Sequence, residues 1–127
     1  MAKRVSKRHG LIPVAKAEDR TDVDGTVEDS KAQLHRAKEL RILLRVYAIA
    51  WFAKQPEFQL GADHTYRADF IVGNLNGFFH VEEVKGGPDD REFRQTKRLW
   101  RDYGPCKLLV LEKQGQRCVI RETIVPD

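Results

Sequence analysis

Apolar and polar positions change period several times along this chain, and the changes outline its elements. After Asp29 or Ser30, either of which can cap a helix, Gln33, Ala37, Leu40 and Leu44 recur at i, i+4, i+7 and i+11. That spacing predicts a helix to about Val46 with one inward face. Lys31, His35, Lys38 and Arg45 fall on another face, toward solvent or phosphate. From Ile49 the pattern becomes strand-like through Trp51 and Phe52, then Pro56-Glu57-Phe58-Gln59-Leu60, where Pro56 suits an edge or a strand start. Two apolar runs follow, residues 66–72 and 78–85, joined by the hairpin chemistry of Gly73-Asn74-Leu75-Asn76-Gly77. Gly86-Gly87-Pro88 ends the second run, and Asp89 or Asp90 can open another helix. That helix should reach Tyr103 with Phe93, Thr96, Trp100 and Tyr103 on one side, before Gly104-Pro105 stops it. Residues 107–111 form a short apolar strand and 117–124 a last one. Ahead of the first helix, Val23-Asp24-Gly25-Thr26-Val27 reads as a short hairpin around an Asp-Gly turn. The order is helix, three strands, helix, strand, strand, which defines a small α/β domain around a mixed sheet.

Length and charge refine this picture. The 127 residues fit one domain. The formal charge is +4, but residues 1–16 alone carry Lys3, Arg4, Lys7, Arg8 and Lys16 with no acid. The body is therefore close to neutral, and residues 1–17 read as a basic flexible arm ahead of a single domain over 18–127. No apolar run approaches the roughly 20 residues needed to span a bilayer. The start has no hydrophobic stretch of the secretory kind. Cys106 and Cys118 are too few for a disulfide scaffold or a four-ligand zinc site. A cytoplasmic protein is expected.

The sharpest chemical feature is Asp69, followed fourteen residues later by Glu83-Val84-Lys85. Residues two apart in a strand share a side, so Glu83 and Lys85 face one way, with Asp69 on the neighbouring arm. Two converging carboxylates make a hard-oxygen nest suited to Mg²⁺ or Mn²⁺ rather than Zn²⁺. A nearby lysine can orient a water or stabilise charge on a phosphate. Register leaves a choice open. A strict two-residue turn at Asn76-Gly77 would set Asp69 opposite Val84 and beside Glu82, whereas a longer loop or a bulge favours Glu83. Glu83 is preferred because it alone has lysine at plus two, and Glu82 is the alternative. Clustered Asp69, Glu82 and Glu83 would repel one another, raising at least one pKa until a cation neutralised them.

These residues resemble the PD-(D/E)xK nuclease superfamily. His64-Thr65-Tyr66-Arg67-Ala68-Asp69-Phe70 and Val81-Glu82-Glu83-Val84-Lys85-Gly86 are similar to the core of bacteriophage Holliday junction endonucleases. A wider set resembles a phage and prophage family of small nucleases: Val23-Asp24-Gly25, Asp29-Ser30-Lys31, Glu39-Leu40 and Gln55-Pro56-Glu57-Phe58. That likeness covers about residues 23 to 112. It implies a restriction-endonuclease-like αβββαβ core with a mixed central sheet flanked by helices. It implies Asp69 and Glu83 as metal ligands, the Val84 carbonyl as a further one, and Lys85 as the catalytic lysine. Gln33 matches the first-helix position where the superfamily commonly has an acid, and Ala68 replaces its usual proline. Gln33 brings no charge, which bears on a second metal and on activity. Gln95 matches an accessory position on the second helix.

The reaction implied is Mg²⁺- or Mn²⁺-dependent hydrolysis of DNA, of the structure-specific, junction-resolving kind, in bacterial host cytoplasm if phage-encoded. No small-molecule cofactor and no membrane are expected. Arg94, Lys97, Arg98 and Arg101, with Lys3, Arg4, Lys7 and Arg8 of the arm, are placed to contact phosphates. Cutting two strands suggests a homodimer, with Tyr47, Trp51 and Phe52 as an apolar patch for it. Two other readings share these residues: the endonuclease subunit of a transposition machine, and a DNA-binding or inhibitory protein that keeps the fold without catalysis.

Overall fold

A computed structural model describes residues 15–127; the expected arm residues Lys3, Arg4, Lys7 and Arg8 lie outside them. A 3-10 turn at Ala17–Arg20 leads into the Asp-Gly turn, where the Thr21–Val27 bridge closes over Gly25 at φ 89°. Helix α1 is Lys31–Arg45. Ser30 caps it, its hydroxyl oxygen accepting from the Gln33 N–H. Gln33, Ala37 and Leu40 are buried as the period requires, and Leu44 is half-buried. The remaining elements are β1 (Trp51–Lys54), β2 (Glu57–Gln59), β3 (Thr65–Arg67), β4 (Phe70–Gly73), β5 (Phe79–Lys85), α2 (Arg91–Tyr103), β6 (Lys107–Gln114) and β7 (Arg117–Ile124). Asp90 caps α2 by accepting from the Phe93 N–H.

The architecture is α/β around a mixed five-stranded sheet, ordered β1-β4-β5-β6-β7, with only the β5–β6 pair parallel. Helix α1 covers one face, where Ala37 and Leu40 pack with Phe70, Val72, Val84 and Leu111. Helix α2 covers the other, where Phe93 and Trp100 pack with Val81, Leu108 and Val110. Alternate residues of β5 and β6 thus feed two cores on opposite sides of one sheet. Tyr103, expected on the buried side of α2, is 56% exposed at the last turn, lying against Gly61.

Three strands were expected before α2, and five are present. Glu57–Gln59 and Thr65–Arg67 pair as a separate two-stranded sheet. Both sheets nevertheless belong to one antiparallel ribbon. Trp51 opposes Gly73 and Lys54 opposes Phe70; beyond a break, Glu57 opposes Arg67 and Gln59 opposes Thr65, in unchanged register. Two backbone bonds carry the pairing through the break: Gln55 N–H to the Asp69 carbonyl and Ala68 N–H to the Pro56 carbonyl, both 2.9 Å. The bend has a local cause. Gln55 sits at φ 55°, left-handed for a residue with a Cβ, and Pro56 follows it. The apolar run 66–72 is therefore divided at Ala68-Asp69. Its first half folds over α2, where Tyr66 and Phe58 meet the Trp100 ring edge-on at 5.9 and 5.1 Å.

At the other end of the ribbon, Trp51 lies flat across Gly73. A Cβ there would come within 2.1 Å of the indole, so only glycine fits. Beside the ribbon, Lys54 gathers the loop before α1: its ammonium lies 2.7 Å from both Asp22 and Glu28 and 3.0 Å from Asp24. No helix among the described residues is long and apolar enough to cross a membrane.

Candidate functional site

The site lies at the ribbon's bend. Phe70 pairs with Glu82 and Gly73 with Phe79, so five residues, 74–78, make the turn. The longer loop applies, not the two-residue turn; regular pairing ends at Phe70 and Glu82, and the Asp69 N–H donates to the Glu82 carbonyl at 3.2 Å. Because the ribbon peels away here, β5 loses its neighbour beyond Glu82. The Asp69 side chain fills the gap: Oδ2 accepts from the Val84 N–H at 2.7 Å. Oδ1 accepts from Gln33 Nε2 at 2.7 Å. Asp69 is 4% exposed. A carboxylate buried at a strand break is held in place by the amide that the break leaves unpaired.

Glu83 and Lys85 project on the α2 side with Val81, and Glu83 is buried. The Tyr66 hydroxyl donates to Glu83 Oε1 at 2.5 Å. Lys85 Nζ stands 3.5 Å from Glu83 Oε2 and 4.2 Å from the centre of the Phe93 ring. The ring face holds the ammonium by a cation–π contact while its stem is covered. Asp69, Glu83 and Lys85 are thereby gathered at one end of the sheet. Tyr66, read from sequence only as a strand residue, joins them. Its signal was weak: Tyr66 precedes Asp69 by three, and only the bend turns its hydroxyl toward β5.

Glu82, the alternative acid, points to the opposite face. It is fully buried and takes a bidentate pair from Arg36, Nε to Oε1 at 2.7 Å and Nη2 to Oε2 at 2.8 Å. His80 Nε2 lies 2.8 Å from the same Oε2. Burial pushes the Glu82 carboxyl up, but the bonds from Arg36 and His80 outweigh it and hold the group below its ordinary value. Glu82 therefore does not take part in the mutual repulsion expected of three clustered acids. Arg36, the missed residue, was hidden because its partner lies 46 positions away.

Gln33 does reach Asp69, but with its nitrogen. Its Oε1 accepts from the Asp29 N–H at 3.0 Å, leaving Nε2 to face the carboxylate. Coordination through its oxygen would require the amide to turn over and give up both bonds. Gln95 is exposed on α2. Among the phosphate candidates, Arg94, Arg98 and Arg101 are exposed on α2, whereas Lys97 is turned inward. Lys97 Nζ lies 2.5 Å from Asp89 and 2.8 Å from Glu122. Burial disfavours its charge, yet these two acids raise its pKa overall. Of the apolar patch, Tyr47 and Trp51 are exposed, while Phe52 is half-buried and packs against the α1 core. Cys106 and Cys118 are free, and burial pushes both thiols up to about 11.

Among the described residues, no group of three or more His, Cys, Asp and Glu side chains is arranged to hold a metal. Asp69 and Glu83 still offer carboxylate oxygens beside the Val84 peptide. That donor set fits Mg²⁺, which is commonly held through one or two carboxylates and keeps several waters.

No family model matches this chain, and no curated protein matches it. The crystal structure of SSO0001 is similar over 73% of this chain and 49% of that one, at 22% identity and a TM-score of 0.36. This chain thus spans about half the length of SSO0001, and so loose a likeness carries no functional inference.

Proposed function

We propose that this protein is a metal-dependent endonuclease that hydrolyses phosphodiester bonds in DNA. The observation that carries the reading is the meeting of Asp69, Glu83 and Lys85 at the bend of the ribbon, each fixed by a separate element. Asp69 and Glu83, with the Val84 carbonyl, would hold Mg²⁺ or Mn²⁺. The ion, when bound, supplies Lewis acidity and a more acidic water. The protein's own part is positional. Val84 N–H and Gln33 fix the Asp69 carboxylate, Tyr66 fixes Glu83, and Phe93 seats the Lys85 ammonium where it can hold a water or offset charge on a phosphate. The resemblance to junction-resolving phage enzymes makes branched DNA the substrate, the cytoplasm the compartment and a homodimer the working form. Tyr47 and Trp51 lie near the open β1 edge for that pairing.

One observation favours a second reading, in which the protein binds DNA without cutting it. Gln33 presents an N–H donor to Asp69 where a helix acid would add a ligand. Cleavage separates the two. Purified protein is incubated with linear, flapped and four-way DNA in Mg²⁺, Mn²⁺ or chelator. Metal-dependent cutting that Lys85→Ala eliminates, with DNA affinity kept within about 3-fold, supports the enzyme. Equal loss of cutting and affinity recasts Lys85 as a binding residue, and binding without any cutting supports the second reading.

A further inference from the structure

Two lines of positive charge run from the site's end of the sheet along opposite faces of the molecule. On α2, Arg91, Arg94, Arg98 and Arg101 follow at steps of three, four and three, which is one helix face. All four are exposed. Arg94 donates to the Asp89 carbonyl at 2.9 Å. Among the described residues, none of the four pairs with an acid, including Glu92 and Asp102 of the same helix. The line is about 15 Å long at 1.5 Å per residue, enough to face roughly four phosphates of one strand. Arginine is the side chain best shaped to grip phosphate oxygens in pairs.

On α1, Lys31, Lys38 and Arg45 follow at steps of seven, and all are exposed. They carry no ion pair among the described residues, while the helix's other bases, Arg36 and Arg41, are committed to Glu82 and Asp22. Both helices begin at the site: Gln33 touches Asp69, and Phe93 underlies Lys85. Both then run toward the far end, where α1 leads to Trp51 opposite Gly73 and α2 leads to Lys107 opposite His80. The sheet lies between them, so the two helix axes are about 20 Å apart across two packed layers, and the lines, both facing outward, are farther apart still.

We infer that the protein binds two separate stretches of nucleic-acid backbone at once, one along each helix, with the site at the end of the sheet from which both lines start. The inference rests on the DNA reading of that site and adds the α1 surface to it. A straight duplex keeps its direction over roughly 150 base pairs and does not fold back around a sheet edge. It can follow one line only. A branch point has two arms leaving a common origin, and each arm can follow its own line. Preference for branched DNA then arises from the placement of phosphate contacts, without any reading of bases.

The test is binding, measured without divalent metal, of fluorescent linear duplex and four-way junction of equal length. The wild-type chain is expected to favour the junction by about 10-fold. Replacing Lys31, Lys38 and Arg45 together by Gln should weaken junction binding to within about 2-fold of duplex and leave duplex binding unchanged. It should also lower the junction's salt slope by about 2.7, near 0.9 per lost phosphate contact. Replacing Arg91, Arg94, Arg98 and Arg101 by Gln should weaken both substrates. Lys31→Arg with Lys38→Arg keeps the charge and should keep the preference. An unchanged junction preference in the α1 triple variant overturns the inference, as does equal weakening of both substrates or no binding to either DNA by the wild-type chain. Failure of the enzyme reading looks different: the binding pattern holds, and Mg²⁺ or Mn²⁺ produces no cleavage.

Discussion

Glu82 and Glu83 are neighbours in one strand, chemically identical and both buried, and the sheet sends them to different fates. Glu82 meets a guanidinium that matches both its oxygens and a histidine that takes up the rest. Glu83 meets a neutral phenol and a lysine at 3.5 Å, too far for a close hydrogen bond. The first acid is neutralised by the fold. The second has no guanidinium opposite it and is adjacent in sequence to Val84, whose N–H holds Asp69. In a strand, one step along the chain exchanges a structural environment for a chemical one.

The largest expected effect is on turnover. Glu83→Gln should reduce metal-dependent cleavage by about 1,000-fold or more, since it removes a charged ligand. Glu82→Gln should spare the chemical step in protein that remains folded. Single-turnover cleavage of one branched substrate measures both, and similar losses in the two variants would erase the distinction between the acids.

Next in size is stability. Arg36→Ala leaves the Glu82 charge buried without its partner and should cost about 3–5 kcal/mol in urea unfolding. Because the folded Glu82 pKa lies below its ordinary 4.5, the pair's contribution is full above that value. It is lost as the pH falls from there through the lower folded pKa. Arg36→Ala should therefore flatten the acid side of the stability profile, and an unchanged acid limb would break this account.

Smaller again is Gln33→Glu. It replaces an N–H donor with a second carboxylate 2.7 Å from Asp69 Oδ1. The metal-free protein should melt a few degrees lower, and Mn²⁺ should raise its melting temperature more than it raises that of the wild type. Asp69→Ala should abolish the metal response. A response that survives in Asp69→Ala removes that carboxylate from the site.

The smallest effect expected is that of Lys97→Gln on DNA binding, within about 2-fold, because Lys97 is engaged by Asp89 and Glu122. Arg98→Gln, at the exposed neighbouring position, should weaken binding more and lower the salt slope by about 0.9. Equal effects would return Lys97 to the phosphate surface.

Much of this molecule is legible in local pattern. The period of α1, the caps to within one residue (Asp29 or Ser30, Asp89 or Asp90, with Ser30 and Asp90 the ones used), the span of β7 and the alternation that puts Glu83 with Lys85 are all properties of a few consecutive residues. What was not legible depends on partners far apart in sequence. Arg36 looked like one more helix cation until Glu82 was set opposite it. Lys97 looked like its exposed neighbours because a helix of mostly charged residues does not advertise which charge turns inward. The ribbon's bend was missed because residues 66–72 read as one run although Ala68 and Asp69 are poor strand formers, and the left-handed Gln55 and Pro56 that accompany the break lie on the other arm. Tyr66 was missed with it.

That bend also divides the ribbon into a part that may not change length and a part that is free to. Between β1 and the bend, pairing is tied to the five-stranded sheet, so an added residue would slide the register and carry Asp69 away from Val84. At the tip, Ala62 and Asp63 are exposed in the loop that joins β2 to β3. Extra residues inserted there extend the loop outward and leave every pair below it in place. The tip, which lies against the far end of α2, is the position at which a new loop, or a whole inserted module, can be grafted without disturbing the geometry of the site.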